Sequence, residues 1–180
     1  EYCSQRAQES EVREVNEADL RLDRRQLLLD SRPPLIPEGA MLQHFVGIEI
    51  ETVKPVFDPT TVILMDFRTR QSEGIHFIYM LPFSANRALV ESTLFSTSVL
   101  PDRFYLDAID RYLESYYETG SYKILHHERG VIPLGRLLPR DKNISGLGAN
   151  GGAIRPSTGY AFTFIQKQVV DGIKCLRSDA

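Results

Sequence analysis

Apolar and polar residues alternate along much of the chain, and a period of two marks a half-buried β-strand. Between Gln43 and Val53, the residues Val46, Ile48 and Ile50 fall on one face, with Glu49 and Glu51 on the other. Further strands are predicted at Thr61–Arg68, Ile75–Pro82 and Ala88–Phe95, and the short polar turns between them predict an antiparallel meander. Glu11–Val15 also alternates, while Gln26–Asp30 is a short apolar run ending in an acid, as in a strand buried on both faces of an α/β sheet. Ser31–Pro34 breaks regular structure, and Leu35–Ala40 reads as a linker. The period becomes helical after Pro101 and Asp102, where a proline and an early acid both favour a helix start. Tyr105, Ile109, Tyr112, Leu113 and Tyr116 recur at helical spacing, and Gly120 ends the pattern. Tyr122–Pro133 returns to strand. A polar, Gly-rich loop from Pro139 to Ser157 leads into a second helix, with Phe162, Ile165, Val169, Ile173 and Leu176 as its expected buried stripe.

Length and charge narrow the function classes. With 180 residues there is room for one full domain or parts of two. Apolar residues make up 42% and charged ones 25%, which excludes a disordered or fibrous chain. The net charge is −3 and no basic block stands out, so nothing would meet phosphates and no nucleic-acid partner is expected. No apolar run approaches the length that crosses a bilayer, and a soluble, cytoplasmic protein, at most peripheral to a membrane, is expected. Cys3 and Cys175 lie at opposite ends and match no zinc spacing. His126 and His127 are adjacent and would point to opposite strand faces, and His44 and His76 are isolated, so no metal is expected. The polar start Glu1–Arg13, without an initiator Met or signal peptide, and the end within a helical pattern predict an internal piece of a larger protein.

Two segments carry candidate chemistry. Gly146–Gly151 spells GxGxxG, but a dinucleotide fingerprint needs a strand directly before it and a helix opening at its third glycine. Here Arg140–Asn143 precedes it and Pro156 delays the helix, so the match is a decoy. Gly151–Tyr160 is more specific: its glycines let backbone approach a ligand, and Ser157 or Thr158 can cap the following helix. Such a helix end suits an anion or an electron-rich ring, and an ordinary capped loop is the alternative. Glu91 shares a strand face with Leu89, Thr93 and Phe95, where desolvation would keep its carboxyl neutral and able to act as a general acid. A salt-bridged or edge-exposed glutamate is the competing reading. Asp58, Asp66 and Glu128 sit beside turns or strand ends, where exposed acids are common. Ser92 lacks a nucleophile elbow, and nothing supports secretion for the sequon Asn143–Ser145.

Seven stretches, taken in order, resemble flavin-dependent lycopene cyclases of the β-cyclase type: Phe45–Glu51, Pro55–Pro59, Leu64–Arg68, Tyr79–Ser84, Ala88–Thr93, Glu128–Leu134 and Gly151–Tyr160. The likeness runs from about Asp30 to Gln168. It implies an α/β (α+β) fold, a piece of a Rossmann-type FAD protein into which an antiparallel β-sheet substrate domain is inserted. Residues 1–40 would close the first FAD-domain segment, 41–138 would form the substrate domain, and 139–180 would return to the flavin. Gly151, Gly152, Pro156, Ser157, Thr158, Gly159 and Tyr160 would then contact the cofactor, and Glu91 would match the family's catalytic glutamate.

The resemblance also implies a reaction without net redox change, in which the linear ends of lycopene, or of a related carotene, close to ionone rings in carotenoid biosynthesis. Reduced FAD would be the cofactor and NAD(P)H its reductant. Because the substrate dissolves in membranes, the whole protein would touch a membrane surface in a bacterial or plastid-like setting. The elements holding the ADP half of FAD would lie outside this stretch, so this chain alone is expected to be inactive. The competing readings are another isoprenoid-acting reductase or monooxygenase of the same superfold, or a non-catalytic polyene- or lipid-binding remnant.

Overall fold

A computed structural model of the chain describes residues 28–135 and 144–178, with side chains described as far as 175. The predicted strand Glu11–Val15, the first residues of the run Gln26–Asp30, the start of the Gly-rich loop at Pro139, and Cys3 lie outside the described residues, as does the Leu176 side chain.

Strand β2 (Met41–Thr52) is an interior strand of a five-stranded antiparallel sheet. It is joined by β3 (Ile63–Asp66), β4 (Ile75–Ser84), β5 (Arg87–Ser96) and β6 (Tyr122–Leu134), in the order β3-β4-β5-β2-β6. Only β3 to β5 form the expected meander. β2 pairs with β5 and β6 instead of β3, which places the strand with the most continuous burial between two neighbours. The edge strand β3 is shorter than predicted because Met65 takes a left-handed conformation (φ 54°) and interrupts the ladder between Ile63 and Asp66. β4 and β5 are joined by a tight turn at Ala85 and Asn86, whose carbonyls accept from Val56, Phe57 and Thr52 amides.

Helix α1 (Asp102–Tyr117) follows Pro101 as predicted. It ends two residues before Gly120, at Glu118, which itself adopts the left-handed conformation. Its stripe Tyr105, Ala108, Ile109, Tyr112 and Leu113 covers the sheet face built by Val46, Ile48, Ile50, Ile78, Met80, Ala88, Val90 and Leu94. Burying an aliphatic side chain of this size contributes about 1.5–3 kcal/mol, so this face holds the fold together. Two histidines are buried on the same side and each is fully engaged. His44 meets Ser96 Oγ at 2.9 Å and Tyr105 Oη at 2.5 Å, and His76 meets Ser92 Oγ at 2.8 Å and the Arg70 carbonyl at 3.1 Å. Burial pushes both imidazoles below their ordinary range.

The remaining elements form a second, smaller unit of structure. β1 (Leu29–Asp30) pairs in parallel with β7 (Ser145–Gly146), and a 3₁₀ turn (Gly148–Gly151) and α2 (Phe162–Ser178) follow. The run ending at Asp30 is not buried on both faces: Asp30 is enclosed while Leu29 is exposed. α2 has the predicted helical period but not a buried stripe. Phe162, Val169, Val170 and Ile173 are between 40% and 66% exposed, because no described element lies against them. Among the described residues no helix is long and apolar enough to cross a membrane, and no group of three or more His, Cys, Asp or Glu side chains could hold a metal ion.

Candidate active site

Strand alternation gives the sheet a second face, turned away from α1. Register fixes its composition row by row, because residues paired across antiparallel strands point the same way. One row reads Tyr79, Glu91, Gly47 and Glu128, from β4 to β6. The next reads Phe77, Thr93, Phe45 and Gly130, and beyond it come Ile75, Phe95, Gln43 and Ile132. Rings of Phe67, Tyr79 and Phe95 surround Phe77 at centroid distances of 5.2–5.5 Å. The two glycines make room for their neighbours. A Cβ at Gly130 would lie 2.5 Å from Cζ of Phe45, and one at Gly47 would lie 2.9 Å from Cγ and Oε1 of Glu128.

Glu91 therefore stands half-buried beside an aromatic cluster, on the face predicted for it. Desolvation is the main influence on its carboxyl and raises it above the ordinary glutamate range. The Glu128 charge pushes in the same direction, while Thr93 Oγ1, donating to Oε1 at 2.5 Å, pulls the other way. That bond occupies one oxygen and leaves Oε2 to carry a proton. Among the described residues Glu91 makes no ion pair, so the salt-bridged alternative is not what they show; Arg87 pairs with Glu49 in the adjacent row. Glu128 is not the exposed strand-end acid expected of it: it lies inside β6, half-buried, one strand beyond Gly47.

The Gly-rich loop meets the same face at its far end. Gly159 (φ 69°) packs so closely on Gln43 Oε1 that a Cβ there would overlap it. Gln43 lies four residues along β2 from Gly47, which corresponds to about 14 Å. The loop is self-braced: Arg155 N donates to the Tyr160 carbonyl at 2.9 Å, and Thr158 N and Gly159 N donate to the Arg155 carbonyl at 3.2 and 2.9 Å. Neither Ser157 nor Thr158 caps α2, whose first bond runs from Ile165 N to the Ala161 carbonyl. They stand too far ahead of the helix, and Thr158 Oγ1 accepts from Tyr160 N at 3.3 Å.

Gly151, Gly152, Pro156, Ser157, Thr158 and Tyr160 are exposed, so backbone is open to a ligand there. An open cavity of about 380 Å³ is lined by Gly152, Ile154, Arg155, Pro156, Ser157 and Phe164, with the Arg155 guanidinium 5.3 Å from the Phe164 ring centre. Two buried oxygens, Gln43 Oε1 beside Gly159 and Asn150 Oδ1, whose amide nitrogen donates to the Asp30 carbonyl at 3.2 Å, have no hydrogen-bond partner among the described residues.

The GxGxxG segment is indeed not a dinucleotide fingerprint. A two-residue strand runs into its first glycine, but a 3₁₀ turn follows where a helix would open. Its glycines serve a different end. Gly146 and Gly151 touch backbone to backbone, and Gln168 of α2 clamps the turn by accepting from Gly148 N at 2.7 Å and donating to the Gly151 carbonyl at 3.0 Å. Gln43, Gly47, Gln168 and Phe164 were not legible as site residues, since each acts through a partner remote in sequence. The one usable signal was glycine in the interior of a strand, at Gly47 and Gly130, which marks close approach.

An antiparallel sheet with one helix-covered face, bracketed by a parallel strand pair, is the mixed α/β class anticipated from the sequence. The same fold occurs in a solved geranylgeranyl bacteriochlorophyll reductase-like protein from Thermoplasma acidophilum, with TM-score 0.52 and 15% identity, covering 81% of this chain and 36% of that one. Residues 4–170 match the family model described as lycopene cyclase protein, and the chain belongs to that family. It is 35% identical over 139 residues to a lycopene beta-cyclase of Paracoccus sp., covering 72% of this chain and 34% of the relative. Similar proteins include a chloroplastic lycopene beta cyclase of Arabidopsis thaliana (32% over 138 residues; 69% of this chain, 27% of the relative) and a chloroplastic neoxanthin synthase of Solanum tuberosum (30% over 137 residues; 68% and 26%). The chain thus spans about a third or less of the length of these relatives.

Proposed function

We propose that this chain carries the acid-bearing sheet of a lycopene cyclase and that Glu91 is its general acid. The observation that carries the reading is a half-buried carboxyl, held above its ordinary range by desolvation, on an open sheet face flanked by aromatic rings. In the proposed reaction the Glu91 proton adds to a terminal double bond of linear lycopene. The resulting cation is attacked by an internal double bond, which closes the six-membered ring, and loss of a proton fixes the ring double bond. Substrate and product have the same formula. The face of Phe45, Tyr79 and Phe95 suits a polyene, and electron-rich rings there also favour a passing cation.

The residues of the Gly-rich loop fit a flavin. Exposed glycine backbone at Gly151 and Gly152, the neighbouring cavity, and the unpartnered buried oxygens of Gln43 and Asn150 support that fit. Gly151, Gly152, Pro156, Ser157, Thr158, Gly159 and Tyr160 would hold it by backbone and hydroxyl groups. Reduced FAD, when bound, supplies fixed negative charge beside a developing cation, with NAD(P)H as the electron source that keeps it reduced. We further propose the division into residues 1–40 and 139–180 of a flavin domain around a substrate domain of 41–138. The parallel pairing of β1 with β7 across the whole five-stranded sheet supports it. Peripheral contact of the complete protein with a bacterial or plastid membrane follows from a substrate that dissolves in lipid.

The test is expression of the complete protein in lycopene-accumulating bacteria, with the pigments separated by chromatography. Ringed carotene is expected from the parent and unchanged lycopene from Glu91→Gln, with flavin content equal in both. Appreciable ring formation by the variant would sink the role of Glu91. Unchanged lycopene from a folded, flavin-loaded parent would favour another isoprenoid-acting flavoenzyme, and absence of flavin would favour a binding remnant.

A further inference from the structure

The row that holds Glu91 contains a second carboxylate, and the residue between the two is a glycine. Glu91 on β5 and Glu128 on β6 are both register partners of Gly47 on β2. Strands are about 4.8 Å apart, so the two acids flank a single strand on the same face. The Glu128 side chain does not turn outward: its Cγ and Oε1 lie where a Cβ of residue 47 would come within 2.9 Å. It therefore leans over Gly47 towards Glu91. No hydrogen bond or ion pair neutralises it among the described residues.

We propose that Glu128 is a positioning residue: seated over Gly47, its carboxyl group adds to the burial that favours the protonated form of Glu91. This rests on the reading of Glu91 as the acid. A like charge close by disfavours ionisation, and the Glu128 charge acts on Glu91 in that direction, beside the larger effect of burial. The other groups facing Glu91 do not substitute for it. Tyr79 on β4 is a phenol with its own ionisation pushed upward. Glu49 on β2 is paired to Arg87 on β5, and His126 on β6 lies exposed one row away. α1 lies against the opposite face. Any side chain at position 47 would force the Glu128 carboxylate aside, so the glycine is part of the device.

The experiment uses the complete protein and compares Glu128→Gln, Glu128→Asp, Gly47→Ala and Glu91→Gln. Two quantities are followed: the pH dependence of ring closure, and the titration of the Glu91 carboxyl by ¹³C NMR, assigned by its loss in Glu91→Gln. In Glu128→Gln the alkaline limb of activity and the Glu91 titration should both move to lower pH, by the same amount. Glu128→Asp should restore most of that shift. Gly47→Ala, which displaces the charge without removing it, should move both in the direction of Glu128→Gln. Unmoved titration of Glu91 in folded Glu128→Gln and Gly47→Ala would overturn the proposal. If Glu91→Gln still closes rings, the reading of the acid fails instead, and the NMR titration still decides whether Glu128 acts on Glu91.

Discussion

The two faces of the five-stranded sheet are built from the same strands, one residue out of step, and they do opposite work. Val90 sits under α1 at 0% exposure, while its neighbour Glu91 looks out from the open face. On the α1 side the polar groups are few and each is matched: His44 by Tyr105 and Ser96, His76 by Ser92. On the other side lie two glycines, a glutamate with no ion pair among the described residues and a cluster of rings in which Phe77 is fully buried while Phe45, Tyr79 and Phe95 are partly exposed. Stability and chemistry are thus separated by the pleat of a strand, and a slip of one residue in register would exchange them.

That division can be broken most forcefully from the buried side. Ile48→Ala in the complete protein removes a side chain enclosed by both the sheet and α1, and a loss of about 2–5 kcal/mol is expected in denaturant unfolding. At pH 5, where the Glu91 carboxyl is least ionised, Glu91→Gln should leave the unfolding midpoint within experimental scatter while abolishing ring formation. A comparable loss of stability would show the open face to be structural after all. Gly159→Ala is intermediate. It places a side chain in a left-handed conformation against Gln43, so about 1–2 kcal/mol should be lost, together with flavin retention measured by absorbance. Stability lost with full flavin content would detach the loop from the cofactor.

The faces should also differ in their response to pH. His44 and His76 have native values below 6.5, so their contribution is complete above that pH and is lost as pH falls through the native values. Glu91 has a native value above 4.5, so its contribution is present below that pH and is lost as pH rises through the native value. Thermal unfolding from pH 5 to 8 should therefore show a fall on the acid side that is flattened in His76→Gln, and a weaker fall on the alkaline side that is absent in Glu91→Gln. The smallest effect is expected from Tyr112→Phe, which removes a 2.6 Å bond to Asp66 at the rim of the α1 face and should cost about 1 kcal/mol.

What could be read from the sequence follows the same line. The faces of β2 and β5, and with them the setting of Glu91, depend only on alternation within a strand, so they were legible. So was α1, whose start is fixed by Pro101 and Asp102. Glu128 was misread because its seat is made by Gly47, more than eighty residues earlier, and only register brings them together. The strand order was missed for the same reason, since β2 finds β6 beside it only after α1 has crossed the sheet. In α2 the period was correct, but an apolar stripe does not say what covers it. Ser157 and Thr158 had capping chemistry at the wrong distance from the helix they were expected to cap.

The parallel pair β1 and β7 has a consequence for the order of folding. Its two-residue strands join Leu29 and Asp30 to Ser145 and Gly146, a closure spanning the whole sheet in between. Chain entropy opposes such a closure until the intervening residues have collapsed. The β4–β5 hairpin and its docking on β2 should therefore nucleate, with the β1–β7 seam closing last. Amide hydrogen exchange would register this as early release of the Leu147 N–H, which donates to the Asp30 carbonyl at 2.8 Å, while the amides between β2 and β5 are still protected. The seam would then be the first part of the molecule to open, and it opens beside the Gly-rich loop.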